Sequence, residues 1–309
     1  MIAVFYILLA ILLVIVFAGG YTFFAACRRR KDLPWYDPQA LKHTAYGKHI
    51  DLIAYSAKWM QEHHPQDIYV TSKDGLKLHG YWIPAENPRG TILLAHGYRS
   101  TMLVDFGMVL DMYHKEGMNL LLPEQRCHGK SEGKYITFGV KEAEDMRCWI
   151  FYHNQQLSPC SVVVSGLSMG ASTVMYMLDG SLPSNVKAAI CDCGFTSPAE
   201  IIGKIFRETV HLPAGIFIRV ADLFARVFAG FSFYEKDSRK TLAKNTLPIL
   251  LAHGTADDFV PCKMSVEAFD ACKSEKYLIL AENAAHGYSY MKAKEEYYNR
   301  IVQILNDNL

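Results

Sequence analysis

The sequence predicts an α/β fold: a mostly parallel sheet of about eight strands with flanking helices and a helical lid, behind an N-terminal membrane helix. Three observations carry this reading. From residue 67 onward, short apolar runs alternate with helical segments. Unbroken apolar strands set between helices are buried on both faces, which is the pattern of a parallel sheet. A segment at about 196–246, with helical spacing of its own, interrupts the alternation, and residues 2–26 carry no charge at all.

The apolar run Ile2–Ala26 comes first. Twenty-five helical residues extend about 37 Å at 1.5 Å each, enough to cross a hydrocarbon core of about 30 Å. A cleaved signal peptide needs a basic start and a shorter apolar stretch, and this chain has neither. Phe24-Ala25-Ala26-Cys27 approaches a lipoprotein cleavage box, but the run ahead of it is too long. A retained single-span anchor is expected, with residues 2–26 in the bilayer. Arg28, Arg29, Arg30 and Lys31 follow directly, so the positive-inside rule places the rest of the chain in the cytoplasm.

Three segments are expected: the anchor with its basic flank (1–31), a juxtamembrane helical segment (32–66) and a body (67–309). The middle segment holds Pro34, Pro38 and Pro65, with helical spacing from Tyr46 to Met60 through Ile50, Ile53, Ala54 and Ala57. In the body, Ile68–Ser72 and Leu76–Pro84 flank Lys73-Asp74-Gly75 and read as an antiparallel hairpin. Strand and helix then alternate. Thr91–Ala95 precedes Leu103–Lys115, Met118–Pro123 precedes Gly139–Gln155, and Ser161–Ser165 precedes Ala171–Leu178. Val186–Asp192 leads into the inserted segment, whose helices Ala199–Val210 and Ala214–Ala229 are separated by Pro213. Pro248–Ala252 precedes Met264–Ala271, and Lys276–Leu280 precedes Lys292–Asn308. Sheet connections are usually short, so an insertion of this size reads as a lid. Its second helix is apolar nearly all round, which calls for burial on more than one side, or for lipid.

Composition narrows the function. Half the residues are hydrophobic, enough for a large core, and the net charge is only +1. Four positive charges sit together at 28–31, so the remainder is net negative and nucleic acid is excluded as a partner. Eight cysteines are too few for a disulfide scaffold in this length, and none has zinc spacing. Cys191 and Cys193, two apart on a strand, are expected to share a face as small buried hydrophobes.

Gly166-Leu167-Ser168-Met169-Gly170 is a G-x-S-x-G pentapeptide between a strand and a helix, the context a nucleophile elbow requires. The glycines allow a strained turn, and the following helix N-terminus favours negative charge nearby. A tight turn without chemistry is the alternative. A serine hydroxyl needs a base for its proton and an acid to orient that base. Of twelve histidines, His286 lies in the loop after the last strand, within reach of Ser168. His253 sits in a strand-end His-Gly turn. Asp257 and Asp258 both offer an acid after the preceding strand, and Asp192 is a third candidate unless it is a strand-end cap. Oxyanion donors would be the backbone N–H groups of Met169 and of Tyr98, in the loop His96-Gly97-Tyr98.

Taken together, these motifs resemble the α/β-hydrolase superfamily, whose chain order is Ser…Asp…His. Within it, the sequence is most similar to bacterial membrane-anchored hydrolases of the prolyl-oligopeptidase-like and serine-aminopeptidase-like group. The resemblance covers about residues 67–309. The segment Glu124-Gln-Arg-Cys-His-Gly-Lys-Ser131 is similar to the family turn Asp-x-Arg-Gly-x-Gly-x-Ser, departing by Glu124 for Asp and Cys127 for Gly. The match of Val260-Pro261 to the family pattern selects Asp257 over Asp258. The resemblance implies hydrolysis through an acyl-enzyme, without metal or organic cofactor: Ser168 as nucleophile, His286 as base, Asp257 as orienting acid. A small-molecule ester or other acyl substrate is expected, because an apolar lid suits an acyl chain. A peptidase of small peptides and a non-catalytic binding module are the rivals.

Overall fold

The computed structural model describes residues 1–32, 37–43, 47–157 and 159–309; Pro34 and Tyr46, named above, lie outside them. Eight strands build one sheet: β1 (Gln66–Thr71), β2 (Lys77–Ile83), β3 (Gly90–Ala95), β4 (Met118–Pro123), β5 (Val162–Leu167), β6 (Val186–Asp192), β7 (Ile249–Gly254) and β8 (Lys276–Ala281). Their order is β1-β2-β4-β3-β5-β6-β7-β8. The β1–β2 and β2–β4 pairs are antiparallel, and every pair from β4 to β8 is parallel. β3, β4 and β7 are buried at every residue, as unbroken apolar strands require. Alternate residues serve opposite layers. Leu93 and Ala95 pack with Trp149 and Val174 on one face, Ile92 and Leu94 with Met60 and Ile301 on the other.

Several helices differ from the sequence reading. Leu103–Lys115 is two short helices, Met102–Asp105 and Leu110–Lys115. The break lies at Gly107, where the backbone runs so close to Ser56 that a Cβ would sit 1.8 Å from its Oγ. Lys292–Asn308 is likewise divided at Ala293 into Ser289–Lys292 and Lys294–Asn308. Cys193 does not share a face with Cys191. β6 ends at Asp192, and Cys193 follows at φ 48°, which leaves the strand alternation and turns it toward Asp257 and His286.

The juxtamembrane helix Ile50–Glu62 lies on the body, burying Ile53, Ala57, Trp59 and Met60. Trp59 Nε1–H donates to Asp111 Oδ1 at 3.1 Å. The N-terminal helix Ile2–Cys27 is long and apolar enough to cross a membrane. Its first part is exposed, but from Ala18 onward it is docked on the lid and the sheet domain. Gly19 and Gly20 permit this. A Cβ at Gly19 would meet Val220 Cγ1 at 2.5 Å, and one at Gly20 would meet Phe224 at 3.0 Å, both on the lid helix Gly215–Phe224. Phe23 and Cys27 are fully buried in the core. Beyond them, Ile136 N–H donates to Cys27 O at 2.7 Å and Arg29 N–H to Lys134 O at 2.9 Å. The Arg29 guanidinium also donates to the carbonyls of Gly129 and Ser131, both at 2.6 Å. The lid helix that is apolar nearly all round therefore has the N-terminal helix on one side and the helix Pro198–Val210 on another, with Ile216 and Leu223 left exposed.

The turn after β4 is organised by Arg126. Its guanidinium donates to both oxygens of Asp145 at 2.7 Å and to those of Asp74 at 2.9 and 3.1 Å. Cys127 stands at φ 67°, which accounts for glycine in the related family pattern. Burial pushes the Asp145 pKa up to about 7 against the pull of Arg126. Removing the cation while leaving this carboxyl in the interior is costly, so Arg126→Met should lower stability by about 3–5 kcal/mol. Denaturant unfolding of the detergent-solubilised full chain checks this, and a loss below about 1 kcal/mol would show the pair to be marginal.

Candidate active site

β5 runs straight into the helix Met169–Met177, and the joint is Ser168, at φ 56° and ψ −117°. The two flanking glycines make that joint possible. A Cβ at Gly166 would lie 2.3 Å from the backbone of Gly170, and one at Gly170 would lie 1.8 Å from Ala95 O on β3. Ser168 N–H donates to Asp192 O at 2.8 Å, which ties the turn to the end of β6. β3, β5, β6, β7 and β8 all end on this edge, so their following loops converge on Ser168.

From the loop after β8, His286 brings Nε2 to 2.9 Å from Ser168 Oγ. Its Nδ1 lies 2.7 Å from Asp257 Oδ2. With a carboxylate facing Nδ1, the proton resides there, and Nε2 is left to accept from the serine hydroxyl. Asp257 is fixed by its own loop: Phe259 N–H and Val260 N–H each donate to Oδ1 at 2.9 Å. Burial alone would raise the Asp257 pKa, but hydrogen bonds from His253 and His286 and the Val260 amide outweigh it. The carboxyl is held well below the usual range and stays ionised.

The imidazole of His253, in the strand-end turn, does more than close that turn: it braces Asp257. Its Nε2 lies 2.9 Å from Val260 O and 3.1 Å from Asp257 Oδ2, both acceptors, so this nitrogen carries the proton. Ser265 Oγ contacts its Nδ1 at 2.7 Å. Asp258 is exposed, its carbonyl bonded by Lys204 Nζ. Asp192 is buried and takes the Ser289 hydroxyl at 2.7 Å, a contact that joins β6 to the last helices.

Tyr98 and Met169 flank Ser168 on the β3 and β5 sides. Gly97 N–H donates to Asp105 Oδ2 at 2.5 Å, and Arg99 N–H donates to His128 Nε2 at 2.9 Å. These bonds on either side fix the backbone around Tyr98. The side chains of this loop reach the anchor: Tyr98 Oη–H donates to Ala26 O at 2.7 Å, and the Arg99 guanidinium to Ala25 O at 2.9 Å. Asp105 and the anchor contacts have no motif in the sequence. Among the described residues, one group of three could reach a single metal ion, Cys193, Asp257 and His286. The donor set suits one poorly: burial pushes the Cys193 thiol well up, and Asp257 and His286 already share a hydrogen bond.

Two cavities meet at Ser168, Tyr98, Arg99 and Phe259. One, of about 410 Å³, is bordered by His49, Ser100, Asp105, His286 and Tyr288. The other, of about 430 Å³, is walled by the lid and by the anchor. A hydroxyl, an imidazole and a carboxylate in line beside such space can attack an acyl carbon and pass its proton on.

Asp105 gives this region a pH signature. Desolvation is its largest influence and raises its pKa to about 6, against bonds from Gly97 and Ser100. The unfolded chain releases this proton near pH 4. The folded state holds it to a higher pH, so this group's contribution to stability falls as pH rises from about 4 to 6 and is level above. Relative to Asp105→Asn, the protein should lose stability across that window, as denaturant titrations at pH 4, 5, 6 and 8 would show. A wild type that gains stability relative to Asp105→Asn between pH 4 and 6 would contradict the assignment.

A family model, the prolyl oligopeptidase family, matches residues 135–309. YqkD of Bacillus subtilis is 25% identical over 241 residues, covering 78% of each chain. YfhR of Escherichia coli O157:H7 is 24% identical over 251 residues, covering 78% of this chain and 82% of the relative. Among solved structures, the Pyrococcus furiosus esterase Pf2001 superposes with a TM-score of 0.63 at 23% identity, over 80% of this chain and 92% of the esterase. The Pyrococcus horikoshii acylaminoacyl peptidase superposes with a TM-score of 0.58 at 18% identity, over 79% of this chain and 41% of the peptidase. With the sheet, the elbow and more than half the chain in agreement, the protein belongs to the prolyl oligopeptidase family, as a serine hydrolase of the α/β-hydrolase fold.

Proposed function

We propose that this chain is a membrane-anchored carboxylic ester hydrolase with its body on the cytoplasmic side. The observation that carries the reading is His286, seated between Ser168 at 2.9 Å and Asp257 at 2.7 Å. Ser168 Oγ attacks the ester carbonyl while His286 Nε2 takes its proton, and Asp257 stabilises the imidazolium that forms. The N–H groups of Tyr98 and Met169 hold the oxyanion. His286 returns the proton to the departing alcohol, and water repeats the sequence on the acyl-serine. Each step moves one proton within this set of residues, so the reaction balances without a further group.

An ester is favoured over a peptide by what surrounds Ser168. A peptidase that grips a free amine needs a carboxylate facing the substrate. The cavity against the lid has none among its described lining residues, and in the other Asp105 is engaged by Gly97 and Ser100. The related acylaminoacyl peptidase keeps the peptide reading as the rival to be tested.

A fluorophosphonate probe should label the full-length protein and leave Ser168→Ala unlabelled; no labelling of the folded protein would instead favour a binding module. Asp257→Asn should retain the fold and lose about 10⁴-fold in kcat. His253→Gln, which loosens the brace rather than the acid, should cost far less. p-Nitrophenyl esters should turn over while aminoacyl anilides do not, and the reverse would establish the peptidase.

A further inference from the structure

We infer that the membrane helix is itself a wall of the substrate site, and that the substrate is a long-chain acyl ester drawn from the bilayer, its chain held between anchor and lid. This rests on the ester-hydrolase reading above.

The cavity of about 430 Å³ ends at Ser168 and has two unlike walls. On one side stand Ala18, Thr22 and Ala25, four and three residues apart and hence on one face of the anchor. On the other stand Ile202, Ile205 and Phe206 of the lid helix Pro198–Val210. Small residues on the anchor leave the space open, and aliphatic and aromatic residues on the lid make it apolar. An aliphatic chain fits those chemical demands, and a peptide backbone, with a donor and an acceptor at every residue, does not.

Depth sets where such a chain would come from. Gly19 and Gly20, inside the apolar helix Ile2–Cys27, are docked on the lid helix, so a bilayer crossed by this helix brings the lid to its boundary. There the lid exposes Ile216, Leu223, Val227 and Phe228 beside the basic Arg219 and Arg226, a mixture suited to the boundary between lipid tails and headgroups. Phe17 and Tyr21, at the mouth of the cavity, are exposed at the same level.

The end of the anchor then lies where headgroups begin. Arg28, Arg30 and Lys31 are exposed there, and Ser168 sits beside the carbonyl turn of Ala25 and Ala26 that Tyr98 and Arg99 bind. Ester bonds of bilayer lipids occupy this boundary between tails and headgroups. A lipid whose ester reaches Ser168 can leave its chain running back along the anchor toward the membrane centre.

The test measures kcat/KM of the full-length protein in detergent micelles for p-nitrophenyl esters from acetate to palmitate, with fluorophosphonate labelling to report the serine. Wild type should favour the long chains. Ala18→Trp and Ile205→Trp fill the cavity from opposite walls, and each should lower the palmitate-to-acetate ratio at least tenfold. Leu12→Trp, on the projecting half of the helix, controls for a general effect on the anchor. Ratios unmoved in both filled variants, with labelling retained, would overturn the inference. So would a wild type that labels but prefers acetate, and that result would leave the hydrolase reading standing. A wild type that does not label would overturn the hydrolase reading itself. Should an indole prevent folding, Ile205→Ala widens the same space and should move the chain-length optimum upward; an unmoved optimum overturns the proposal.

Discussion

A single backbone joint, at Ser168, constrains the rest of the site. A non-glycine residue at φ 56° and ψ −117° is strained, by roughly 1–3 kcal/mol, and persists only where its surroundings over-determine it. Here they do so by contact. β5 folds back on the helix through Gly166 and Gly170, the helix start is wedged against Ala95 of β3, and Asp192 at the end of β6 holds the Ser168 amide. Three adjacent parallel strands thus clamp one peptide. Because the clamp is made of backbone atoms, the position of the hydroxyl follows from the sheet register rather than from side-chain choice.

The electrostatics around His286 follow the same economy of parts. Asp257 is buried, which by itself favours the neutral acid, yet it is surrounded by donors: two amides of its own loop and two imidazoles. The spacing Asp257–Val260 is what lets the loop amides close on the carboxylate. It also turns Asp258 outward, so the choice between neighbouring acids is made by backbone geometry. The ionised carboxylate in turn fixes the His286 tautomer, and the hydroxyl of Ser168 meets an imidazole nitrogen able to accept.

Much of this was legible in the sequence, because local rules govern it. The mostly parallel sheet followed from unbroken apolar runs, the elbow from Gly166 and Gly170, and the place of His286 from its loop after the last strand. What was not legible depends on partners distant along the chain. Gly107, in the break between two short helices, lies close against Ser56 of a helix far earlier in the chain. Cys193 leaves the strand alternation because β6 stops one residue earlier. Asp105 acquires its role from a loop eight residues upstream. The docking of the anchor was the largest gap. Gly19-Gly20 in an apolar run carries no address, and the lid helix read equally as needing protein or lipid on its second side. Their mutual fit appears only when Val220 and Phe224 are set against those glycines.

That fit bears on how water and an apolar substrate could share one serine. Deacylation needs water beside an acyl-serine, while an aliphatic chain is stabilised only where water is excluded. Among the described residues two cavities meet at Ser168: one bordered by His49, Ser100, Asp105 and Tyr288 together with Leu52, Val104 and Met291, the other by the N-terminal helix and the lid. His286 borders the first and not the second, so its imidazole opens on the cavity away from the N-terminal helix. Tyr98 and Arg99 stand at the junction, each hydrogen-bonded to the last turn of the anchor. A displacement of that helix would thus disturb both the wall of the apolar cavity and the loop expected to hold the oxyanion. The N-terminal helix, long and apolar enough to cross a membrane, thus meets both the apolar cavity and the Tyr98–Arg99 loop through its last turns.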